Sequence, residues 1–159
     1  MSELRVGIGV DAHALVAGVP LVLGGVELEH ARGLAGHSDG DVIAHALIDA
    51  ILGAANLGDI GTLFPSGDEQ YRGASSLDLL WEAYREVRDA GWRLVNADCV
   101  LIGEEPRIGA HRDEMAERLA GALGVEPAQI AVRATTTDAL GFTGRGEGLA
   151  AQAVALLER

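Results

Sequence analysis

The sequence of 159 residues has little cysteine, few basic residues and no long apolar run. Its one cysteine, Cys99, cannot form an internal disulfide or supply a thiolate metal cluster within one chain. No apolar stretch approaches the roughly 18 to 20 residues that a membrane span requires. The N-terminus also lacks the basic, apolar and cleavage regions of a secretory signal. We therefore expect a cytoplasmic protein.

Basic side chains are half as numerous as acidic ones, 12 Lys and Arg against 24 Asp and Glu, so the net charge is −12. Such a chain repels polyanions, and nucleic acid is therefore not an expected partner. An anionic small substrate would have to be held by metal ions, helix N-termini and a few placed basic residues. Apolar residues make up 48% of the chain, and no linker or repeat interrupts it, which predicts one globular domain over residues 1–159.

Hydrophobic periodicity predicts strands and helices in mixed order, hence an α+β class with about three helices on one face of a mixed sheet. The predicted strands cover residues 4–10, 21–28, 92–102 and 130–134, the second bent or bulged at its glycines. The predicted helices cover residues 41–55, the stretch from Leu77 to Val87 and about 109–123. Ser75 and Asp78 resemble a capping box, and Trp81 is expected in the core. Residues 58–73 are typical of a long loop, whereas residues 149–157 fit either a helix or a strand.

A possible metal site begins where the apolar run of residues 6–10 ends. Asp11 and His13 are two positions apart, so on an extended strand both point to one face. His45 follows Asp41 by one helical turn and could supply a third ligand. One carboxylate and two imidazoles leave a coordination position open, as in catalytic zinc sites. The alternative is a strand-end aspartate, a loop histidine and a partly buried helix histidine.

Two further constellations lie near the C-terminus. Residues 134–138, Ala-Thr-Thr-Thr-Asp, place hydroxyls that could bond phosphate oxygens beside Asp138, which could hold a hard cation such as Mg²⁺. Threonines also simply suit strands. Residues 141–148 are rich in glycine, but no βαβ unit follows them, and the chain has no GKS or GKT sequence. A dinucleotide fingerprint and a Walker loop are therefore both excluded.

In their order, these motifs closely resemble the 2-C-methyl-D-erythritol 2,4-cyclodiphosphate synthase family, over nearly the whole chain. The segments that carry the resemblance are Asp11-Ala12-His13, residues 37–42 with His45, residues 57–61 followed by Phe64-Pro65, and residues 134–137 followed by residues 141–148. It implies conversion of 4-diphosphocytidyl-2-C-methyl-D-erythritol 2-phosphate to the cyclic diphosphate with release of CMP, in the non-mevalonate route to isoprenoids. It also implies a homotrimer with active sites between subunits, and a final segment that is a strand.

The resemblance implies a role for each matching residue. Asp11, His13 and His45 would bind Zn²⁺, and Asp138 would help hold a second ion, Mg²⁺ or Mn²⁺, that bridges the diphosphate. The residues implied to contact the phosphates are His37, Ser38 and Thr136, and those implied for the methylerythritol unit are Asp59, Ile60 and Gly61. The residues implied to line the cytidine pocket are Gly103, Pro106, Arg107, Ile108, Gly109, Ala134 and Thr135. Phe142 and Arg145 match residues near the threefold axis, where some members bind an isoprenoid diphosphate, although trimer packing is the simpler role.

The chain departs from the family pattern at three positions. Asp138 replaces a glutamate, and Arg107 and Thr62 replace lysines. These changes concern affinity more than reaction type, because Arg107 keeps its positive charge. Two alternative functions stay open: a metal-dependent phosphohydrolase, and a non-catalytic trimeric nucleotide-binding protein on the same scaffold.

Overall fold

The strands form a five-stranded mixed sheet and a separate two-stranded hairpin in a computed structural model that describes residues 1–159. The strands are β1 (Leu4–Ala17), β2 (Leu21–Leu23), β3 (Val26–Leu28), β4 (Arg32–Leu34), β5 (Arg93–Ile102), β6 (Ile130–Thr135) and β7 (Gly148–Glu158). The sheet has the order β4-β1-β7-β5-β6. Strand β7 runs antiparallel to both of its neighbours, whereas β5 and β6 are parallel.

Three long helices and two four-residue helices accompany the sheet. They are α1 (Val42–Ala55), α2 (Ile60–Leu63), α3 (Ser76–Asp89), α4 (Arg112–Leu123) and α5 (Gly141–Gly144). Helix α1 packs on β1 and β7, α4 packs beside β6, and α3 contacts both of these helices. The predicted α+β class and mixed sheet are thus confirmed, with five helices rather than about three. None of the five combines the length and the apolar character needed to cross a bilayer.

Several element boundaries differ from those predicted. Strand β1 continues to Ala17, because pairing with β7 extends past the apolar run to Ala14 opposite Gly148. The segment 21–28 is not one bent strand but the hairpin of β2 and β3, since Gly24 and Gly25 both adopt positive φ, +57° and +76°. Consecutive residues at positive φ form the two-residue turns that suit tight hairpins. The ambiguous C-terminal segment is strand β7.

Two local predictions for the α3 region are wrong. The Ser75 side chain makes no capping hydrogen bond, and the carboxylate of Asp39 accepts the Ser76 N–H instead. Trp81 lies outside the core, with 53% of its surface exposed and the Arg85 guanidinium over its ring. In both cases helical spacing indicated the helix correctly, but it did not show the contacts of these side chains: Ser76 N–H is bound by the distant Asp39, and Trp81 packs against Arg85 on the exposed face of α3.

Helix α1 lies in direct contact with the backbone of β1 at two glycines. A Cβ atom on Gly9 would lie 1.9 Å from the Ala46 carbonyl oxygen, and one on Gly7 would lie 2.0 Å from the Ala50 carbonyl oxygen. The residues of α1 that face the strand here, Ala46 and Ala50, are buried and have small side chains. The absence of side chains at Gly7 and Gly9 therefore sets the distance between α1 and the sheet.

The first turn of α1 is fixed by the fully buried carboxylate of Asp41. Its Oδ1 accepts the N–H groups of Ile43 and Ala44 at 3.1 Å and that of Gly24 at 2.9 Å, while its Oδ2 accepts Gly25 N–H at 2.8 Å. Burial raises the pKa of Asp41 to about 6, against the effect of these donors. Asp41 therefore joins the start of α1 to the hairpin turn of β2 and β3.

We expect Gly9→Ala to destabilise the protein by about 1–3 kcal/mol or more, because the new methyl group would collide with the backbone of α1. The matched control is Gly53→Ala, since an added Cβ there meets only the Ile8 carbonyl oxygen at 3.9 Å. This control should be neutral or stabilising by up to about 1 kcal/mol through helix propensity. Urea unfolding followed by circular dichroism, at one protein concentration, measures both. Equal stability of Gly9→Ala and the wild type would contradict the close packing.

Candidate metal centre

Three side chains from β1 and α1 converge at one point. Asp11 Oδ2 lies 2.9 Å from His13 Nε2 and 3.2 Å from His45 Nδ1, and the ligand atoms of the three residues all lie within 4.8 Å of one another. Asp11 and His13 share one face of β1, and His45 approaches from the first turns of α1. The predicted convergence is therefore confirmed, and the group can hold a metal ion.

The three residues perturb each other electrostatically. Burial acts against ionisation of Asp11, but the close approach of the His13 and His45 imidazoles outweighs it and lowers the pKa of that carboxyl. The Asp11 carboxylate in turn raises the pKa of His13, although burial opposes this. A metal binds the deprotonated ligands, and the raised pKa of His13 makes protons compete with the metal more strongly, so metal affinity should fall as pH decreases.

His13 provides a test of whether the group fits a metal. Its Nε2 atom is buried and has no hydrogen-bond partner, because its 2.9 Å approach to Asp11 lacks hydrogen-bond alignment. A buried nitrogen of this kind is costly unless something else occupies its lone pair. One carboxylate and two imidazoles form a donor set suited to zinc, with room for an exogenous fourth ligand. The residues present fit the ion.

The second nitrogen of His45 faces away from Asp11. His45 Nε2 lies 2.8 Å from Ser76 Oγ and 3.1 Å from Ser38 Oγ, and the Ser76 hydroxyl donates to Asp39. Ser76 was not predicted from the sequence, and Asp39 was noted only within the segment of residues 37–42, with no contact to His45 through a second residue expected. No signal in the sequence could have indicated them, because Ser76 lies 31 residues from His45 along the chain.

A cavity opens directly beside the three ligands. Its lining residues are Asp11, His13, His37, Ser38, His45, Ile60, Gly61, Phe64, Ser66, Tyr71 and Leu79. His37 is anchored there because its Nε2 lies 2.7 Å from the Asp68 carbonyl oxygen, which can only accept. The cavity thus brings together the metal ligands and four other predicted site residues, His37, Ser38, Ile60 and Gly61.

Asp59 and Asp49 support one wall of this cavity. Asp59 is exposed and does not line the cavity, and its Oδ1 accepts the N–H and the hydroxyl of Thr62, both at 2.8 Å. These hydrogen bonds lower the pKa of Asp59. Asp49 on α1 accepts the Ile60 N–H at 2.7 Å, and burial raises its pKa. Asp49 is therefore a supporting residue that the sequence pattern did not indicate.

The other predicted site residues form a second group at a different place in the fold. Residues 103–109 and 134–138 follow or end the parallel strands β5 and β6, where Ile102 pairs with Thr135 and Gly103 N–H donates to the Thr135 carbonyl at 3.0 Å. Thr136 and Asp138 are exposed there, and neither lines the metal cavity. Strands β5 and β7 separate β6 from β1. Within one chain, the two groups do not meet.

The remaining predicted residues, Phe142 and Arg145, belong to the short helix α5 and its C-terminal end. Phe142 is 44% exposed, and Arg145 Nε donates to Glu147 at 2.7 Å. The Glu147 carboxylate raises the pKa of Arg145, whose charge is therefore already paired within the chain. Neither residue lies in the metal cavity.

The Glu104 side chain supports the turn that carries Thr136 and Asp138. Asp138 and Ala139 adopt left-handed φ values of +52° and +66°, which cost energy in residues other than glycine. Glu104 Oε1 accepts the N–H groups of Thr137 and Ala139, at 3.4 Å and 3.2 Å. Glu104 therefore ties residues 103–109 to this turn.

Comparison with known proteins places the chain among well-defined relatives. Residues 4–158 match the model of the YgbB family. The 2-C-methyl-D-erythritol 2,4-cyclodiphosphate synthase of Moorella thermoacetica is 60% identical over 154 residues, which cover 97% of this chain and 94% of the relative. That of Rubrobacter xylanophilus is 58% identical over 162 residues, covering 100% and 98% of the two chains.

Solved structures are similar over the same range. A CDP-bound form of a 2C-methyl-D-erythritol-2,4-cyclodiphosphate synthase has a TM-score of 0.87 and 38% identity, covering 96% of this chain and 99% of the other. The bifunctional IspDF from Campylobacter jejuni has a TM-score of 0.96 and 42% identity, covering 99% of this chain. This chain spans only 43% of that bifunctional protein.

We expect Glu104→Ala to loosen the turn at Asp138 and Ala139. Loss of a hydrogen bond worth about 1 kcal/mol should accelerate hydrogen exchange of the Thr137 and Ala139 amides roughly fivefold. Glu104→Gln is the matched control, because its side-chain oxygen remains an acceptor. Amide exchange by NMR measures the effect. Unchanged exchange in Glu104→Ala would show that the turn does not depend on this side chain.

Proposed function

The chain belongs to the YgbB family of 2-C-methyl-D-erythritol 2,4-cyclodiphosphate synthases, and we propose that its reaction takes place beside Asp11, His13 and His45. The substrate is 4-diphosphocytidyl-2-C-methyl-D-erythritol 2-phosphate. An oxygen of its 2-phosphate forms a bond to the β-phosphorus, the bond from that phosphorus to the bridging oxygen breaks, and CMP leaves with this oxygen. The observation that carries the proposal is the convergence of three metal-ligating side chains at a cavity.

Electrostatic repulsion is the main obstacle to this reaction. The nucleophile and its target are both anionic, and two unit charges about 4 Å apart repel by roughly 4 kcal/mol at an effective dielectric of 20. Asp11, His13 and His45 would hold Zn²⁺, and Asp138 would help to hold Mg²⁺ or Mn²⁺. These ions supply Lewis-acid stabilisation of phosphate charge and a template for in-line displacement. No protein nucleophile is required, so the chain contributes positioning.

The residues of the cavity would position the methylerythritol phosphate. His37 and Ser38, which line the cavity, would hold the attacking 2-phosphate. Since His37 Nε2 is engaged by the Asp68 carbonyl, its contact with the phosphate falls to Nδ1. Ile60 and Gly61 form the wall for the carbon chain, and Asp59, directly before them, would bond its hydroxyls. Asp49 keeps this wall in place through its hydrogen bond to Ile60.

The second group would bind the nucleotide and the diphosphate. Backbone groups of residues 103–109 would hold cytosine, Ala134 and Thr135 would line the same pocket, and the Thr136 hydroxyl would bond the diphosphate. Arg107 is exposed and takes part in none of the salt bridges of the chain, so its charge would be available to the phosphates. Because this group and the metal cavity do not meet within one chain, we infer that the complete site forms between two copies.

An exposed apolar sheet face supports assembly of several copies. Val6, Ile8 and Val10 on the face of β1 opposite α1 are 69%, 58% and 62% exposed, and Val154 of β7 beside them is 41% exposed. Contiguous apolar surface of this kind marks interaction sites. We propose a cyclic homotrimer that buries this face and joins the metal cavity of one copy to the nucleotide group of the next. Phe142 and Arg145 would lie near its threefold axis.

The reaction is tested by phosphorus NMR with the proposed substrate and Mg²⁺. We expect stoichiometric CMP and cyclic diphosphate, loss of turnover after metal stripping, and recovery with zinc. Linear phosphates as products would instead identify a phosphohydrolase. Unchanged substrate under every metal condition would leave a binding function only.

Assembly of the site from two copies is tested by complementation. We expect His45→Ala and Thr136→Ala each to lose most activity alone, because one removes a metal ligand and the other a diphosphate contact. When the two variants are co-expressed at equal levels, about one quarter of the sites should regain activity. Under random mixing, that fraction of sites combines the intact metal half of one variant with the intact nucleotide half of the other. The separately purified proteins, mixed only in the assay, are the control. No recovery on co-expression would place both halves of each site in one chain.

A further inference from the structure

We propose that Ser76, held by Asp39, is a positioning residue that fixes the proton of His45 on Nε2 and so keeps Nδ1 free to bind the metal. This inference rests on the metal centre proposed above. It concerns two residues that the reaction itself does not touch. Neither lies next to a metal ligand in the sequence, and the fold alone brings them to His45.

The hydrogen bonds of Asp39 determine the direction of the Ser76 hydroxyl. Asp39 Oδ2 accepts the Ser76 N–H at 3.0 Å, and Asp39 Oδ1 accepts the Ser76 hydroxyl. The Asp39 carboxylate thus accepts hydrogen bonds from both the backbone and the side chain of Ser76. Because the single hydroxyl proton of Ser76 is donated to Asp39, Ser76 Oγ can only accept from any other neighbour.

That neighbour is His45 Nε2, 2.8 Å from Ser76 Oγ. An oxygen that can only accept requires a proton on Nε2. If the imidazole is neutral, its lone pair must then be on Nδ1, the atom that faces Asp11 at 3.2 Å. The arrangement therefore selects the tautomer that can ligate a metal together with Asp11 and His13.

A second hydroxyl, that of Ser38, lies 3.1 Å from His45 Nε2 but is placed differently. Ser38 lines the cavity and is only partly buried, and its Oγ also lies 3.4 Å from the Gly40 N–H. Ser76 is fully buried, so no water competes for its hydrogen bonds. The fixed contact of His45 is therefore Ser76, whereas Ser38 remains accessible to a ligand in the cavity.

The expected consequence concerns metal affinity. Hydrogen-bond partners of this type orient a ligating histidine and set its tautomer. Their loss commonly reduces metal affinity by about 10–100-fold. We expect a reduction in this range for Ser76→Ala. Ser75→Ala is the matched control, because the neighbouring Ser75 is exposed and its side chain makes no capping hydrogen bond.

Two measurements test the proposal. Zinc affinity is measured by competition with a chromogenic chelator for the wild type, Ser76→Ala and Ser75→Ala. Correlation of ring protons with ¹⁵N in histidine-labelled, zinc-loaded wild-type protein shows which nitrogen of His45 carries the proton. We expect a slowly exchanging Nε2 proton in the wild type, with faster exchange in Ser76→Ala and no change in Ser75→Ala.

The outcomes separate this proposal from a purely structural role and from the metal site itself. Lower thermal stability of Ser76→Ala with unchanged zinc affinity would overturn it in favour of packing alone. A proton on Nδ1 of His45 in the zinc-loaded wild type would overturn it even if no Ser76 variant folds. Failure of the wild type to bind zinc would instead refute the proposed metal centre.

Discussion

The contact between α1 and the two glycines of β1 is the constraint on which the rest of the structure depends. Because Gly7 and Gly9 have no side chain, the helix backbone rests on the strand, and Asp41 fixes its first turn to the β2–β3 hairpin. These two contacts determine the rotation of α1 about its axis and its distance from the sheet. His45 consequently reaches Asp11, whose partner in the strand, His13, already points to the same side.

A connected network of polar side chains lies beside the contact between α1 and β1. Asp39 accepts hydrogen bonds from Ser76, Ser76 is hydrogen-bonded to His45 Nε2, and His45 Nδ1 faces Asp11. Each buried group therefore has a partner, which matters because an unpaired polar group in such a place costs about 1–3 kcal/mol. The one unpaired atom, His13 Nε2, lies where an ion would sit. The same contacts that hold α3 against α1 thus orient the metal ligands.

The width of the sheet separates the two parts of the proposed active site. The metal cavity lies on the β1 side, whereas Thr136, Asp138 and residues 103–109 lie beyond β7 at the ends of β5 and β6. The proposed association of copies through the exposed face at Val6, Ile8 and Val10 would bury apolar surface and bring these two parts together.

The sequence by itself determined the features that depend on neighbours along the chain. Strand alternation and helical periodicity are local patterns. The sequence therefore indicated the spacing of Asp11 and His13, the helix that carries His45 and the order of the family's motifs. Only the tertiary structure decided that β1 continues to Ala17, that Trp81 is exposed, and that Ser76, Asp49 and Glu104 support the site. Each of these depends on which distant segments pack together, and no local pattern encodes that choice.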